Sequence, residues 1–173
     1  MLTAKDIITP GDRASLELAI TELDHYDKLL EVRRREHGIQ YFVPNLPQYQ
    51  ATRSPARIVM SISGNRGGKS EGGAAELTCH LTGFYPRCDC HGEWFSPQRR
   101  RKPPIKTVIV ATEFPVVERV IEPKLMKLLP REEIAKGGLK RTPQGYLRRV
   151  LCKNGSTVDI LTNEMDQMAF ESA

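Results

Sequence analysis

Lys69 and Ser70 close the run Ser63-Gly-Asn-Arg-Gly-Gly-Lys-Ser70, whose residue types are those that polyphosphate chemistry requires. A polyphosphate has to be wrapped by backbone N–H groups, and glycines such as Gly64, Gly67 and Gly68 let a main chain approach that closely. Lys69 can reach the β- and γ-phosphates as a point charge. The Ser70 hydroxyl can complete a Mg²⁺ shell otherwise filled by phosphate oxygens and water. Asn65 and Arg66 make up the rest of the loop, and Ser63 stands where the common pattern has glycine. Ahead of the loop lie Gln48, the first candidate for holding adenine, and Gln50, the second; a glutamine amide offers one donor and one acceptor to the edge of that base.

Two further clusters carry chemistry. Cys88-Asp-Cys90-His91, with Cys79 or His80 as a fourth group, has the residue types of a zinc site, although its one-residue spacing is tighter than that of common zinc modules. Free thiols in a surface loop are the plainer reading. Arg99, Arg100, Arg101 and Lys102 are consecutive cations, each able to neutralise a phosphate of a nucleic-acid backbone, against the plainer reading of a charged loop.

The elements that must position these residues follow from patterning. Ile58 to Ile62 is a short apolar, β-branched run, and the segment opened by Lys69 has helical character up to about Thr82, where Gly83 can end it. The loop therefore lies between a strand and a helix, the context in which a phosphate-binding motif carries weight. Upstream, Thr9-Pro10 predicts a helix start with Thr9 as N-cap. Leu16, Ile20, Leu23, Tyr26 or Asp27, and Leu30 recur at helical spacing, Arg33 to Arg35 suit the last turn, and Gly38 offers a stop. Tyr41 to Gln50, punctuated by prolines, reads as extended, and 83–104 reads as a long loop. Lys106 to Thr112 is continuous enough in apolar residues to predict a buried strand. Pro115 starts a helix with Val116, Val117, Val120, Ile121, Leu125, Leu128 and Leu129 facing inwards; Pro123 predicts a kink or break within it, and Pro130 its end. Gln144 to Cys152 and Thr157 to Thr162 are strand-like runs joined by Asn154-Gly155, a strong hairpin signal.

Composition sets bounds on the reading. A chain of 173 residues is of ordinary single-domain size, and no apolar run approaches the roughly 18 residues that a membrane span needs. The first residues lack the apolar core of a signal peptide, so a cytosolic protein without disulfides is expected. A net charge of +5 and a pI near 9.1 suit an anionic partner.

Taken together, several of these residues resemble the large, ATPase subunit of the terminase of tailed bacteriophages. The resemblance is carried by Pro47-Gln48, Ser54-Pro-Ala-Arg57, Gly64-Asn-Arg-Gly-Gly-Lys-Ser-Glu71, Thr82-Gly-Phe-Tyr-Pro86, Asn154-Gly-Ser156 and Met168-Ala-Phe-Glu-Ser172, in family order over about residues 40–173. It implies an α/β fold of the P-loop NTPase (ASCE, RecA-like) kind, with a mostly parallel sheet flanked by helices: an N-terminal helical arm over 1–40 and the ATPase domain over 41–173. It also implies ATP and Mg²⁺ as ligands. Lys69 and Ser70 take the phosphate and metal roles, Gln48 the adenine role, and Arg66 that of a loop arginine acting on the γ-phosphate, which the family often has one residue earlier, at Asn65 here. Double-stranded DNA, a portal protein, the small terminase subunit and further copies on the portal are the implied partners, in the cytoplasm of a bacterial host. The family's Walker B aspartate and adjoining glutamate would end an apolar strand, and its nuclease would need a carboxylate cluster; neither is in this sequence, so the chain is expected to be the N-terminal part of a longer protein. The competing readings are another P-loop DNA-dependent ATPase of helicase type and a zinc-organised nucleic-acid-binding module.

Overall fold

A computed structural model describes residues 10–56, 58–60, 68–88, 92–93 and 95–163. The chain divides into two units, Met1–Glu36 and His37–Ala173. In the first, helix α1 runs over Pro10–Glu36, and Thr9, the expected N-cap, lies outside the described residues. Leu16, Ile20, Leu23 and Leu30 are all exposed along α1. No helix among the described residues is long and apolar enough to cross a membrane.

The second unit begins with a 3-10 turn, Gly38–Tyr41, and helix α2, Leu46–Arg53. Helix α2 corrects the expectation of an extended segment from Tyr41 to Gln50: its prolines sit ahead of and within the first turn, where a missing N–H costs nothing. Helix α3 spans Lys69–Thr82 and ends at Gly83, whose left-handed φ of 75° and N–H bond to the Cys79 carbonyl (2.9 Å) make it the predicted stop. Strands β1, Arg87–Cys88, and β2, Gly92–Glu93, pair as a minimal hairpin.

Beyond strand β3, Lys106–Ala111, come helix α4, Phe114–Val116, a π-helical turn, Val117–Ile121, and helix α5, Glu122–Leu128. The π turn resolves the conflict posed by Pro123. A proline inside a helix has no N–H for the carbonyl four residues back and its ring crowds that carbonyl, and one wider turn just upstream relieves both while Val117, Leu125 and Leu128 stay buried.

Strands β4, Ile134–Arg141, β5, Leu147–Cys152, and β6, Thr157–Thr162, complete a four-stranded sheet of order β3-β6-β5-β4. The predicted hairpin is β5–β6: Gly155 has a φ of 84°, the Ser156 N–H donates to Asn154 Oδ1 (2.9 Å), and the Asn154 amide reaches the Leu81 carbonyl (2.7 Å). Only β3 and β6 are parallel, whereas β6–β5 and β5–β4 are antiparallel. The architecture is thus α/β with a mixed sheet flanked by helices, and the expected mostly parallel sheet is replaced by a mostly antiparallel one because two of its three pairings are made by chain reversals. Among the described strands β3 lies at an edge, and the face that carries Val108 and Val110 is exposed, which corrects the expectation of a buried strand there.

Two apolar clusters hold this unit. One joins Leu81, Val117, Leu125, Leu147, Val150 and Ile160 under the sheet. The other joins Ile39, Ala75, Cys79, Phe95 and Leu128. Gly38 permits that second cluster: a Cβ there would stand 1.9 Å from the Lys127 carbonyl oxygen, so only glycine lets the 3-10 turn lie against α5. Phe95, 1% exposed, anchors the segment 83–104, which the sequence presents as a plain loop. Phe95→Ala is expected to cost about 3–5 kcal/mol of stability in urea denaturation; a loss under about 1 kcal/mol would mean that the ring does not anchor this segment.

Candidate phosphate-binding site

The site is built from the start of α2 and the start of α3. Asn45 caps α2: its Oδ1 accepts from the Gln48 N–H (3.0 Å), and Gln48 Oε1 accepts in return from the Asn45 N–H (2.8 Å), a reciprocal capping box. Gln48 Nε2 then donates to the carbonyl of Gly68 (2.8 Å) across 20 residues of sequence. Gly68 is the N-cap of α3 in the left-handed conformation, φ 74°, with no side chain to close the helix end. A Cβ on Gly68 would stand 2.7 Å from Gln48 Nε2, so the close approach of amide and loop depends on glycine.

Lys69 and Ser70, both exposed, form the first turn of α3, the end of a helix whose dipole favours an anion. Glu71 in the same turn is engaged by Lys127 (2.9 Å), which draws its negative charge into an ion pair. Beside Ser70 opens a cavity of about 420 Å³ with mostly apolar walls, lined by Ala74, Leu77, Val108, Ile109 and Leu125.

Of the sequence candidates, the structure brings together Gln48, Gly68, Lys69 and Ser70. Gln50 is exposed on α2. Gly64, Asn65, Arg66 and Gly67 lie outside the described residues. Ile58 to Met60, expected to open a strand, form none and are exposed, while Ser61 and Ile62 lie outside the described residues. Sequence reasoning also missed the α2 cap at Asn45, a structural residue beside the site, although an asparagine three residues before a glutamine is a recognisable capping signal.

The basic run splits in two. Arg99 donates to Glu76 Oε1 and to the Ala51 carbonyl (2.7 Å) and lies over the Phe95 ring, while Arg100 meets Glu93 Oε2 (2.9 Å) and lies over Tyr85. Arg101 and Lys102 are exposed. Tyr85 ties this stretch to α3, its hydroxyl donating to the Arg101 carbonyl (3.0 Å) and lying 2.9 Å from His80 Nδ1. Burial works to raise the Glu76 carboxyl, but His80 and Arg99 more than offset it and hold the group below its ordinary value.

For the zinc reading, Cys90 and His91 lie outside the described residues, as does the side chain of Cys88. Cys79 is fully buried in the second cluster, and burial, aided by the Glu76 charge, pushes its thiol up to about 12, which disfavours the thiolate a metal requires. Among the described residues no group of three or more metal-ligating side chains converges. No model of a known protein family, no curated protein and no solved structure matches the chain.

Because Glu76 holds fewer protons folded than unfolded, its pairing contributes stability that is present above its ordinary value of 4.5 and is lost as pH falls through and below it. The stability difference between wild type and Glu76→Gln in urea denaturation is therefore expected to be largest near pH 7 and to shrink below pH about 4. A difference independent of pH would show that the charge of Glu76 contributes nothing.

Proposed function

We propose that this chain is the ATP-binding part of a viral DNA-packaging motor, the large terminase subunit, which in its intact form hydrolyses ATP to translocate double-stranded DNA into a prohead. The observation that carries the reading is the first turn of α3: a left-handed glycine N-cap without a capping side chain, followed at once by exposed Lys69 and Ser70. A helix end of that composition has the groups a triphosphate needs, namely backbone donors, a flexible ammonium and a hydroxyl. The parallel pair β3–β6 beside α3 is compatible with the ASCE arrangement, with β5 and β4 as an antiparallel extension.

In this reading the backbone of 64–68 wraps the phosphates, Lys69 neutralises the β- and γ-phosphates, and Arg66 stabilises charge on the γ-phosphate as it leaves. Ser70 would hold Mg²⁺, which supplies charge neutralisation to the phosphate oxygens when bound. Arg101 and Lys102 are the DNA contacts, since Arg99 and Arg100 are engaged by Glu76 and Glu93. A portal protein, the small terminase subunit and further copies of the chain on the portal are the partners that follow from the same proposal, in the cytoplasm of a bacterial host.

Lys69→Ala is expected to abolish ATP binding in calorimetry while circular dichroism and the melting temperature stay as in wild type; unchanged affinity would remove the central claim. For DNA, neutralising Arg101 and Lys102 together is expected to flatten the slope of log affinity against log salt by up to about 2 units, since each phosphate contact on B-DNA contributes roughly 0.9. Arg99→Gln is expected to leave that slope alone. The reverse pattern would place the contacts on Arg99 instead.

A further inference from the structure

We infer that Gln48 is a positioning residue for the phosphate loop and does not read the nucleotide base; the inference rests on the proposal that residues 63–70 bind phosphate. The orientation of its amide is settled by its neighbours. The Asn45 N–H can only donate and the Gly68 carbonyl can only accept, so Oε1 faces the first (2.8 Å) and Nε2 the second (2.8 Å). One N–H and one lone pair are left on a side chain that is 9% exposed, whereas pairing with adenine needs a donor and an acceptor presented together to the ligand.

What the clasp does follows from peptide geometry. The Gly68 carbonyl accepts from both Gln48 Nε2 and the Gly72 N–H (2.9 Å), and the two bonds hold it pointing along α3. A trans peptide is planar, with its C=O and N–H antiparallel. Fixing the Gly68 carbonyl therefore aims the N–H of Lys69 the opposite way, out of the N-terminal end of the helix, where a phosphate oxygen would lie. The contact is tight on both sides: a Cβ on Gly72 would stand 3.0 Å from Gln48 Cγ, and one on Gly68 only 2.7 Å from Nε2. Gln48 also closes the capping box of α2 by accepting from the Asn45 N–H, so one side chain links the cap of one helix to the first peptide of the next.

Two variants separate these roles. Gln48→Glu keeps an oxygen for the Asn45 N–H, and so the α2 cap, but sets a carboxylate against the Gly68 carbonyl and loses the clasp. Asn45→Ala removes the capping oxygen and leaves the clasp. Titration of the 173-residue chain with ATP, GTP and tripolyphosphate, each with Mg²⁺, is expected to show Gln48→Glu weakening all three alike, by about tenfold or more. Asn45→Ala is expected to lower the melting temperature while changing tripolyphosphate affinity less than about twofold. Loss confined to ATP would make Gln48 a base reader and overturn the inference, as would wild-type tripolyphosphate affinity in Gln48→Glu. A wild-type chain that binds none of the three ligands would overturn the phosphate-loop proposal itself, and this inference with it. Should Gln48→Glu fail to fold, NMR on the wild type decides: a through-hydrogen-bond coupling from Gln48 Nε2 to the Gly68 carbonyl is expected, with a shift of the Lys69 amide on adding tripolyphosphate, and absence of the coupling overturns the clasp.

Discussion

The packing of α3 on two cores at once is the constraint from which the rest of the second unit follows. Ala75 and Cys79 are buried against Ile39, Phe95 and Leu128, while Leu81 enters the cluster formed by Val117, Leu125 and the strands. A helix gripped along its length has little freedom at its ends, so the exposed turn at Lys69 and Ser70 is presented by a rigid element rather than by a loop. Small residues make this possible: Gly72 lets Gln48 come close to the helix, and Ala74 and Ala75 do the same for the first 3-10 turn. The phosphate-loop pattern and the packing requirement thus overlap at Gly68, where a Cβ would stand 2.7 Å from Gln48 Nε2.

Features set by local chemistry were legible in the sequence. The stop at Gly83 and the turn at Asn154-Gly155 each depend on a left-handed glycine, and both stand where expected. The disturbance at Pro123 was foreseeable, though its form as a π turn was not, because a kink, a break and a widened turn all satisfy the same missing N–H. Strand β4 gave no signal. Its sequence, Ile134-Ala-Lys-Gly-Gly-Leu-Lys-Arg141, lacks alternation and places two glycines where the pairing with β5 shifts register. Its strand state is imposed by the hairpin partner, a tertiary effect that periodicity does not record.

Sheet direction illustrates the same limit. Thr107 to Ala111 is apolar enough for a central strand, and in a parallel sheet such a run would be covered on both faces. In the structure the run has a described neighbour on one edge only, and its burial alternates. Composition reports how much apolar surface a strand carries; how many neighbours cover that surface depends on the rest of the chain. Gln48 was singled out for a chemical reason, its amide, and it is the amide that the structure uses, but on Asn45 and Gly68.

Charge poses a related problem of partners. A net charge of +5 suggests a broadly cationic surface, yet Arg87, Arg99, Arg100, Lys127, Arg141 and Arg149 all sit in ion pairs with Glu93, Glu76, Glu71, Glu122 and Asp159. Exposed pairs of this sort are screened by water and salt and contribute little, so they say more about the direction of side chains than about stability. The Arg99–Glu76 pair is the exception, being the most buried of them, and it turns Arg99 inward while the exposed Arg101 and Lys102 stay on the surface. Four consecutive cations are therefore not equivalent: two are anchors for the 83–104 segment and two extend the positive field. The excess charge falls to exposed residues outside those pairs, including Arg101, Lys102, Lys106, Arg148 and Lys153, and it is the placement of these, more than the net total, that determines where a polyanion would be attracted.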